Sequence, residues 1–479
     1  MADFSSKTIA AISTALSESG IGIIRVSGPD SVSVCNSVLF DKKGMHVLDK
    51  MQPSSFRHLY VKDEDEVIDE CIVLLYRAPH SYTGEDTVEI QCHGGVFLLK
   101  KVLDLVLKKG AHLPEPGEFT RRAFLNGKID LTQAEAVMGI ISSKSEMALK
   151  ISKDQMSGSV SKVIKELRAR ILYETAYIES AIDDPEHYDL TGHDEEVKIL
   201  VSELLKKIDE LKNSYRSGKY ISEGITTCIV GRPNSGKSSL LNLLTGQDRA
   251  IVSDIPGTTR DIIEEYVRFD DVLLKLTDTA GIRKTDDPIE SIGAKKALEA
   301  SDIADLVLFM IDASETIEMD DLEIFGNICD KKTLIILNKA DLGLKIKKSD
   351  IYNHFIFSGG GKLKEMSEDE FFDRFPVIVM SAKGGNGLED LKRTVKSLFY
   401  IGNITSSDEV VITSVRHMEL LTKAEESLKN VLKTIDDGFE TDMYSVDLSD
   451  SYRYLGFIIG EEIGDDLADE IFSKFCMGK

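Results

Sequence analysis

Gly231 and Gly236 bracket four residues in the stretch CIVGRPNSGKSSL, which begins at Cys228, and Lys237 and Ser238 follow directly. A β-branched run precedes Gly231 and an apolar helical pattern follows Ser239, which is the strand-to-helix setting of a phosphate-binding loop. The two glycines let the chain curl so that the N–H groups of Asn234, Ser235, Gly236, Lys237, Ser238 and Ser239 face phosphate oxygens at a helix N-terminus. Lys237 brings a point charge to the β- and γ-phosphates, a catalytic role, and the Ser238 hydroxyl suits Mg²⁺.

Three further segments refine the ligand. Asp278, Thr279, Ala280 and Gly281 form DTAG at the end of an apolar run. There Asp278 is placed to hold a water on Mg²⁺ and the Gly281 N–H to meet the γ-phosphate. Asn338, Lys339, Ala340 and Asp341 form NKAD after the run TLIIL. The Asp341 carboxylate accepts from both the ring N–H and the exocyclic amine of guanine, a pairing adenine does not offer. Ser381, Ala382 and Lys383 follow the last β-rich run and supply backbone groups to the base. Between the first two segments lie Ser253, Asp254, Ile255, Pro256, Gly257, Thr258 and Thr259, a loop in which one threonine hydroxyl completes the Mg²⁺ shell when the γ-phosphate is bound. The ligand is read as GTP. Ile282 cannot orient an attacking water, so that group must come from elsewhere in the chain.

The elements that position these loops alternate in the manner of a doubly wound parallel sheet, with strands expected at 225–230, 272–277, 305–311, 333–337 and 376–380. The segment 344–375 reads as a surface excursion between the guanine motifs. Helical patterns run from 131 to about 182 and over 194–214, and resume after 408. A nucleotide-binding domain over 221–400 is therefore expected to interrupt a helical domain with halves at 121–220 and 401–479. Residues 1–120 read as an α+β module, with strands at 8–14, 20–28, 67–77 and 87–92 and helices at 29–40 and 95–109. Within it, Arg25 and Glu89 interrupt apolar strands, where a solvated strand face is the ordinary explanation.

The chain has 479 residues, 58 basic and 82 acidic, for a net charge of −24. Such a balance argues against holding nucleic acid on a broad basic surface and leaves only local contacts. The six cysteines show no zinc or disulfide spacing. No run approaches the roughly 18 apolar residues of a membrane span, and the N-terminus lacks a signal-peptide layout, so a cytoplasmic protein with no membrane contact is expected.

The segments GIIRVSGP at 22–29, SYTGED at 81–86, PGEFTRRAFLNGK at 116–128, GRPNSGKSS, GTTRD, DTAGIR and the terminal FCMGK at 475–479 resemble the MnmE (TrmE) family of tRNA-modifying GTPases over nearly the whole chain. The resemblance implies a multidomain α/β and α+β protein: an N-terminal tetrahydrofolate-binding-like α+β domain, a helical domain, and an inserted Ras-like doubly wound P-loop GTPase domain. It implies a homodimer whose GTPase domains meet when GTP binds. K⁺ would be held by Asn234, Ser253, the Ile255 carbonyl and Thr258, and Mg²⁺ by Ser238 and Thr259, while Glu290, twelve residues past Asp278, would orient water. A methylene- or formyl-tetrahydrofolate would bind at Arg25, Glu89, Lys128 and Lys479, with Cys476 as a candidate catalytic thiol. Arg416 and His417 would be structural or RNA-facing.

The activity implied is installation of an aminomethyl or carboxymethylaminomethyl group on C5 of the wobble uridine of tRNA. A flavoprotein of the MnmG (GidA) type would act as partner and supply FAD. The competing expectation is a switch GTPase of RNA or ribosome assembly whose N-terminal module only dimerises.

Overall fold

The computed structural model describes residues 7–184, 186–188, 191–247, 265–269, 272–277, 301–357, 363–399, 410–461, 464–473, 475 and 477–478. The N-terminal sheet has six strands in the order β1-β2-β6-β5-β4-β3. These are Ile9–Ile12, Ser19–Ser27, Leu39–Phe40, Ser55–Asp63, Glu66–Tyr76 and Thr87–Gly94 for β1 to β6. All of its pairings are antiparallel. Alternation along β2 and β6 sends Ile24, Val26, Val88 and Ile90 into a core closed by Cys35 of helix Ser31–Asn36 (α1) and by Leu99, Val102 and Val106 of Val96–Lys108 (α2). Arg25 and Glu89 therefore point to the opposite face, directly across from each other.

Three short helices follow: Glu118–Leu125 (α3), Leu131–Ser142 (α4) and Glu146–Met156 (α5). Asp130 begins α4 with a capping box, accepting from Gln133 N while the Gln133 side chain accepts from Asp130 N. The long helices Ser159–Asp183 (α6) and His193–Glu223 (α7) then pack with two helices from the far end of the chain. Ile164, Leu167, Ile171, Leu204 and Ile208 share one core with Leu421, Leu428, Val431, Leu448 and Leu455. Each half of this bundle presents an apolar stripe that the other half helps to cover.

Between the halves lies a second six-stranded sheet, in the order β12-β11-β10-β7-β9-β8. Its strands are Ile225–Gly231 (β7), Glu265–Phe269 (β8), Val272–Leu276 (β9), Leu306–Asp312 (β10), Thr333–Asn338 (β11) and Val377–Val379 (β12). All pairings are parallel except β8 with β9. Helix Lys237–Gln247 (α8) follows the phosphate loop, and Met319–Ile328 (α9) follows β10. The described residues of the expected excursion, 344–357 and 363–375, are packed into the domain instead. They fold into Lys348–Phe355 (α10) and Glu368–Arg374 (α11), and Phe355, Phe371 and Phe375 are fully buried around Phe325. Gly359, Gly360 and Gly361, which suggested the excursion, lie outside the described residues. Leu388–Leu398 (α12) completes the domain.

The chain then re-enters the helical bundle as Val415–Asp436 (α13), Thr441–Ile459 (α14) and Asp465–Ser473 (α15). Residues 411–413 lie in a groove between α5 and α7. Gln155 Nε2 donates to Val411 O at 2.8 Å and Ile412 N to Ser214 Oγ at 3.0 Å. A Cβ on Gly218, inside α7, would sit 2.2 Å from Ile412 O, which explains a glycine where helix propensity disfavours one.

Candidate functional site

The phosphate loop leaves β7 at Gly231 and enters α8 at Lys237. Asn234 is left-handed at φ 62° and Gly236 at φ 101°. Glycine is required at both ends: a Cβ at Gly231 would lie 2.4 Å from Met310 O, and one at Gly236 2.0 Å from Asn338 Nδ2. Lys237 Nζ donates to Gly231 O at 2.8 Å and to Arg232 O at 2.7 Å. Ser235 is buried, and its Oγ has no hydrogen-bond partner among the described residues. A curled backbone, an ammonium on neutral carbonyls and an unsatisfied hydroxyl suit a polyphosphate.

Asn338, at the end of β11, joins three of the predicted segments. Its Nδ2 donates to Ser235 O at 2.8 Å, and its Oδ1 accepts from Ala382 N at 2.9 Å. Ala340 N also bonds Met380 O at 3.1 Å, so NKAD and SAK lie side by side. Lys339 is left-handed at φ 62°, and its Nζ meets Asp312 Oδ2 at 2.6 Å. Asp312 was not recognisable from its own surroundings in sequence, because its partner lies just past the end of the next strand. A hydrogen bond from the Ser381 side chain holds the exposed Asp341 carboxyl below its ordinary range, so that the group that would read guanine is kept ionised. Ser238 and Ser239 lie in the first turn of α8. Residues 253–259, 278–281 and 290, with Cys476 and Lys479, lie outside the described residues.

In the N-terminal module, Arg25 Nε donates to Glu89 Oε1 at 2.9 Å, both side chains being 16% exposed. The guanidinium also lies over the rings of Tyr82 and Phe119 at 5.3 and 5.8 Å. These residues are therefore a half-buried ion pair in an aromatic setting rather than a solvated strand face. Tyr76 lies two residues along its strand from Leu74, the partner of Glu89, and burial and then the Glu89 charge push its phenol up. Lys128 Nζ reaches Pro79 O at 2.9 Å, on the turn that carries Tyr82.

Family models for the "MnmE helical domain" and the "GTP-binding protein TrmE N-terminus" match residues 131–476 and 8–128. The tRNA modification GTPase MnmE of Lachnoclostridium phytofermentans is 45% identical over 472 residues, covering 98% of this chain and 99% of that protein. The protein of the same name from Clostridioides difficile is 40% identical, covering 99% of this chain and 100% of its own length. The chain belongs to the MnmE family. Among solved structures, Aquifex aeolicus Era is 27% identical over 42% of this chain and 66% of its own, at a TM-score of 0.25.

In this MnmE family chain the motif PGEFTRR becomes α3, and its charges turn inward. Arg122 bridges Glu118 Oε1 at 2.7 Å and Glu85 Oε2 at 3.0 Å, and Glu85 also accepts from Ser27 Oγ at 2.8 Å. This network ties α3 and the SYTGED turn to β2. The signal available in sequence was charge density beside Phe119 and Ala123, both fully buried. Gly117, left-handed at φ 70°, leaves no room for a Cβ, which would lie 2.6 Å from Phe472 O. A Cβ on Gly478 would likewise lie 2.4 Å from Ile12 O, so the glycine of the terminal Cys-x-Gly-Lys rests against the end of β1.

Arg416 and His417 are structural groups, His417 buried and Arg416 partly so. Arg416 Nε donates to Glu135 Oε1 at 2.9 Å, its Nη1 to Phe457 O at 2.7 Å, and His417 Nε2 lies 2.8 Å from Glu135 Oε2. Five cysteines, at 35, 71, 92, 228 and 329, are buried free thiols. No described helix is long and apolar enough to cross a membrane.

Proposed function

We propose that this chain is a K⁺-dependent GTPase that, as a cytoplasmic homodimer with a flavoprotein of the MnmG type, installs an aminomethyl or carboxymethylaminomethyl group on C5 of the tRNA wobble uridine. One observation carries the nucleotide half of the reading: Asn338 holds the phosphate loop and the guanine-side turn as one rigid unit. Residues Asn234 to Ser239 would bind the phosphates, Asn338 to Asp341 and Ser381 to Lys383 the base. When GTP arrives, Lys237 exchanges two carbonyl acceptors for phosphate oxygens, a stronger charge-assisted bond. The left-handed backbone at Asn234 presents its side chain outward, where it and Ser253, Ile255 and Thr258 would hold K⁺. Ser238 and Thr259 would hold Mg²⁺. Bound there, the two cations supply neutralisation of charge on the transferring phosphoryl group. Glu290 would orient the water.

The tetrahydrofolate half is supported by the Arg25–Glu89 pair. A carboxylate suits the aminopyrimidine edge of a pterin, while the guanidinium and Lys128 suit its acidic groups. Lys479 would join them, and Cys476 would serve as nucleophile or proton donor. We also propose that domains span 1–120, 121–220 with 401–479, and 221–400. The test is calorimetric titration of the full-length protein with formyl-tetrahydrofolate, alongside GTP hydrolysis in K⁺ and in Na⁺. Saturable folate binding and faster hydrolysis in K⁺ are expected. A protein that hydrolyses GTP equally in both salts and takes no folate is instead the switch GTPase.

A further inference from the structure

Arg232 is the second residue of the phosphate loop, yet its side chain leaves the loop altogether. Nε donates to Asp321 Oδ1 at 2.9 Å, Nη1 lies 2.5 Å from Glu318 Oε2, and Nη2 lies 3.5 Å from Glu315 Oε2. All three carboxylates belong to the approach and first turn of α9. Asp321 is fully buried, and its second oxygen accepts from Glu318 N at 3.1 Å to cap the helix. A buried carboxylate requires a charged partner, and Arg232 is the cation beside it.

The main chain of Arg232 is equally engaged. Its carbonyl accepts from Lys237 Nζ at 2.7 Å and from Ser235 N at 3.3 Å. Two residues on, Asn234 holds the left-handed backbone that a non-glycine residue adopts only under constraint. Asn338 fixes the far side of that residue through Ser235 O. Arg232 fixes the near side.

We propose that Arg232 and Asp321 form a latch that positions the phosphate loop for the nucleotide. The guanidinium is committed to α9 and does not act on the phosphates itself. Arg232 is thus a positioning residue, and its loss should appear in nucleotide affinity before it appears in turnover. This rests on the GTPase reading of the site. A wild-type protein that bound no GDP would overturn that reading, whereas the latch is judged only by variants against a wild type that binds.

The experiment titrates full-length protein with fluorescent GDP and measures phosphate release at saturating GTP, with melting curves to show that each variant is folded. Arg232→Ala and Asp321→Asn are each expected to weaken GDP binding about tenfold, and the double variant to be no weaker than Arg232→Ala, because both remove one interaction. Arg232→Lys should fall between wild type and Arg232→Ala, and kcat should change less than Kd in every case. Should Arg232→Ala fail to fold, Asp321→Asn and Arg232→Lys carry the same test. Unchanged GDP affinity in Asp321→Asn would overturn the latch, as would an Arg232→Ala variant that loses kcat while binding GDP normally, the signature of a group acting on phosphate directly.

Discussion

In the phosphate loop, Lys237 rests on two backbone carbonyls, whereas in the N-terminal sheet Arg25 rests on the Glu89 carboxylate. A carbonyl holds an ammonium less strongly than an anionic oxygen does, so a polyphosphate would outcompete those two acceptors. An ion pair at 16% exposure releases its partners only to a ligand that satisfies both at once. The first arrangement selects on charge. On the folate reading proposed above, the second would select on chemical pattern, a donor edge for Glu89 and an acceptor for Arg25. In the proposed nucleotide site the guanine end would resemble the second more than the first, because Asp341 would ask for a matched pair of donors.

The largest effect separating the two regions is expected from Lys237→Ala, with hydrolysis falling by about 10²–10³-fold and folate affinity unchanged. Phosphate release and calorimetry on one preparation check both. If folate binding also collapsed, the two regions would not be independent.

A second prediction uses the Glu135 pair as a contrast with Arg25–Glu89, since it has the same chemistry with no ligand in prospect. Burial raises the Glu135 carboxyl, but the charges of His417 and Arg416 beside it more than offset this and hold it at about 2, against 4.5 ordinarily. A carboxyl depressed on folding contributes stability above its unfolded value and loses it as pH falls from about 4.5 through about 2. That contribution is on the order of 2–3 kcal/mol. In urea unfolding from pH 7 downward, Glu135→Gln should therefore be less stable than wild type at neutral pH, with the gap closing in acid. A gap independent of pH would show that the pair contributes packing alone.

Next in size, Arg25→Ala and Glu89→Gln should each weaken folate binding by about 1–3 kcal/mol, because each leaves the other partner charged and half-buried. GTP hydrolysis should stay at the wild-type rate. Wild-type folate affinity in both variants would remove the pattern-selection argument. Smallest of all, Lys101→Ala breaks the exposed pair with Glu66 at 3.2 Å and should shift stability by less than about 0.5 kcal/mol in thermal unfolding. A larger loss would mean that exposure understates how ion pairs act in this sheet.

Much of the fold was legible because hydrophobic period is a local property. The strands around the phosphate loop and the long helices fall where the apolar patterns place them. The strand Ser55–Asp63 was missed since Arg57, His58 and Lys62 interrupt its apolar positions, and Glu265–Phe269 was missed since it is short and pairs antiparallel at the sheet edge. The helix expected over 29–40 ends at Asn36, where the chain turns into the two-residue strand Leu39–Phe40.

The nucleotide motifs could be recognised from sequence because their chemistry lies in consecutive residues. Glycine at Gly231 and Gly236 permits the backbone curl, and the groups that would meet phosphate are the next few N–H donors and Lys237. Only the tertiary structure decided which distant charges meet: Arg25 with Glu89 across paired strands, Arg122 with Glu85, Arg416 with Glu135, and Arg232 with Asp321. It also decided that the helices at 348–355 and 368–374 pack inward and that Gly218 makes room for residue 412. Local spacing tells which face of an element a side chain takes. Strand register and helix packing tell what lies opposite, and burial then sets whether that encounter is a weak surface contact or a fixed ion pair.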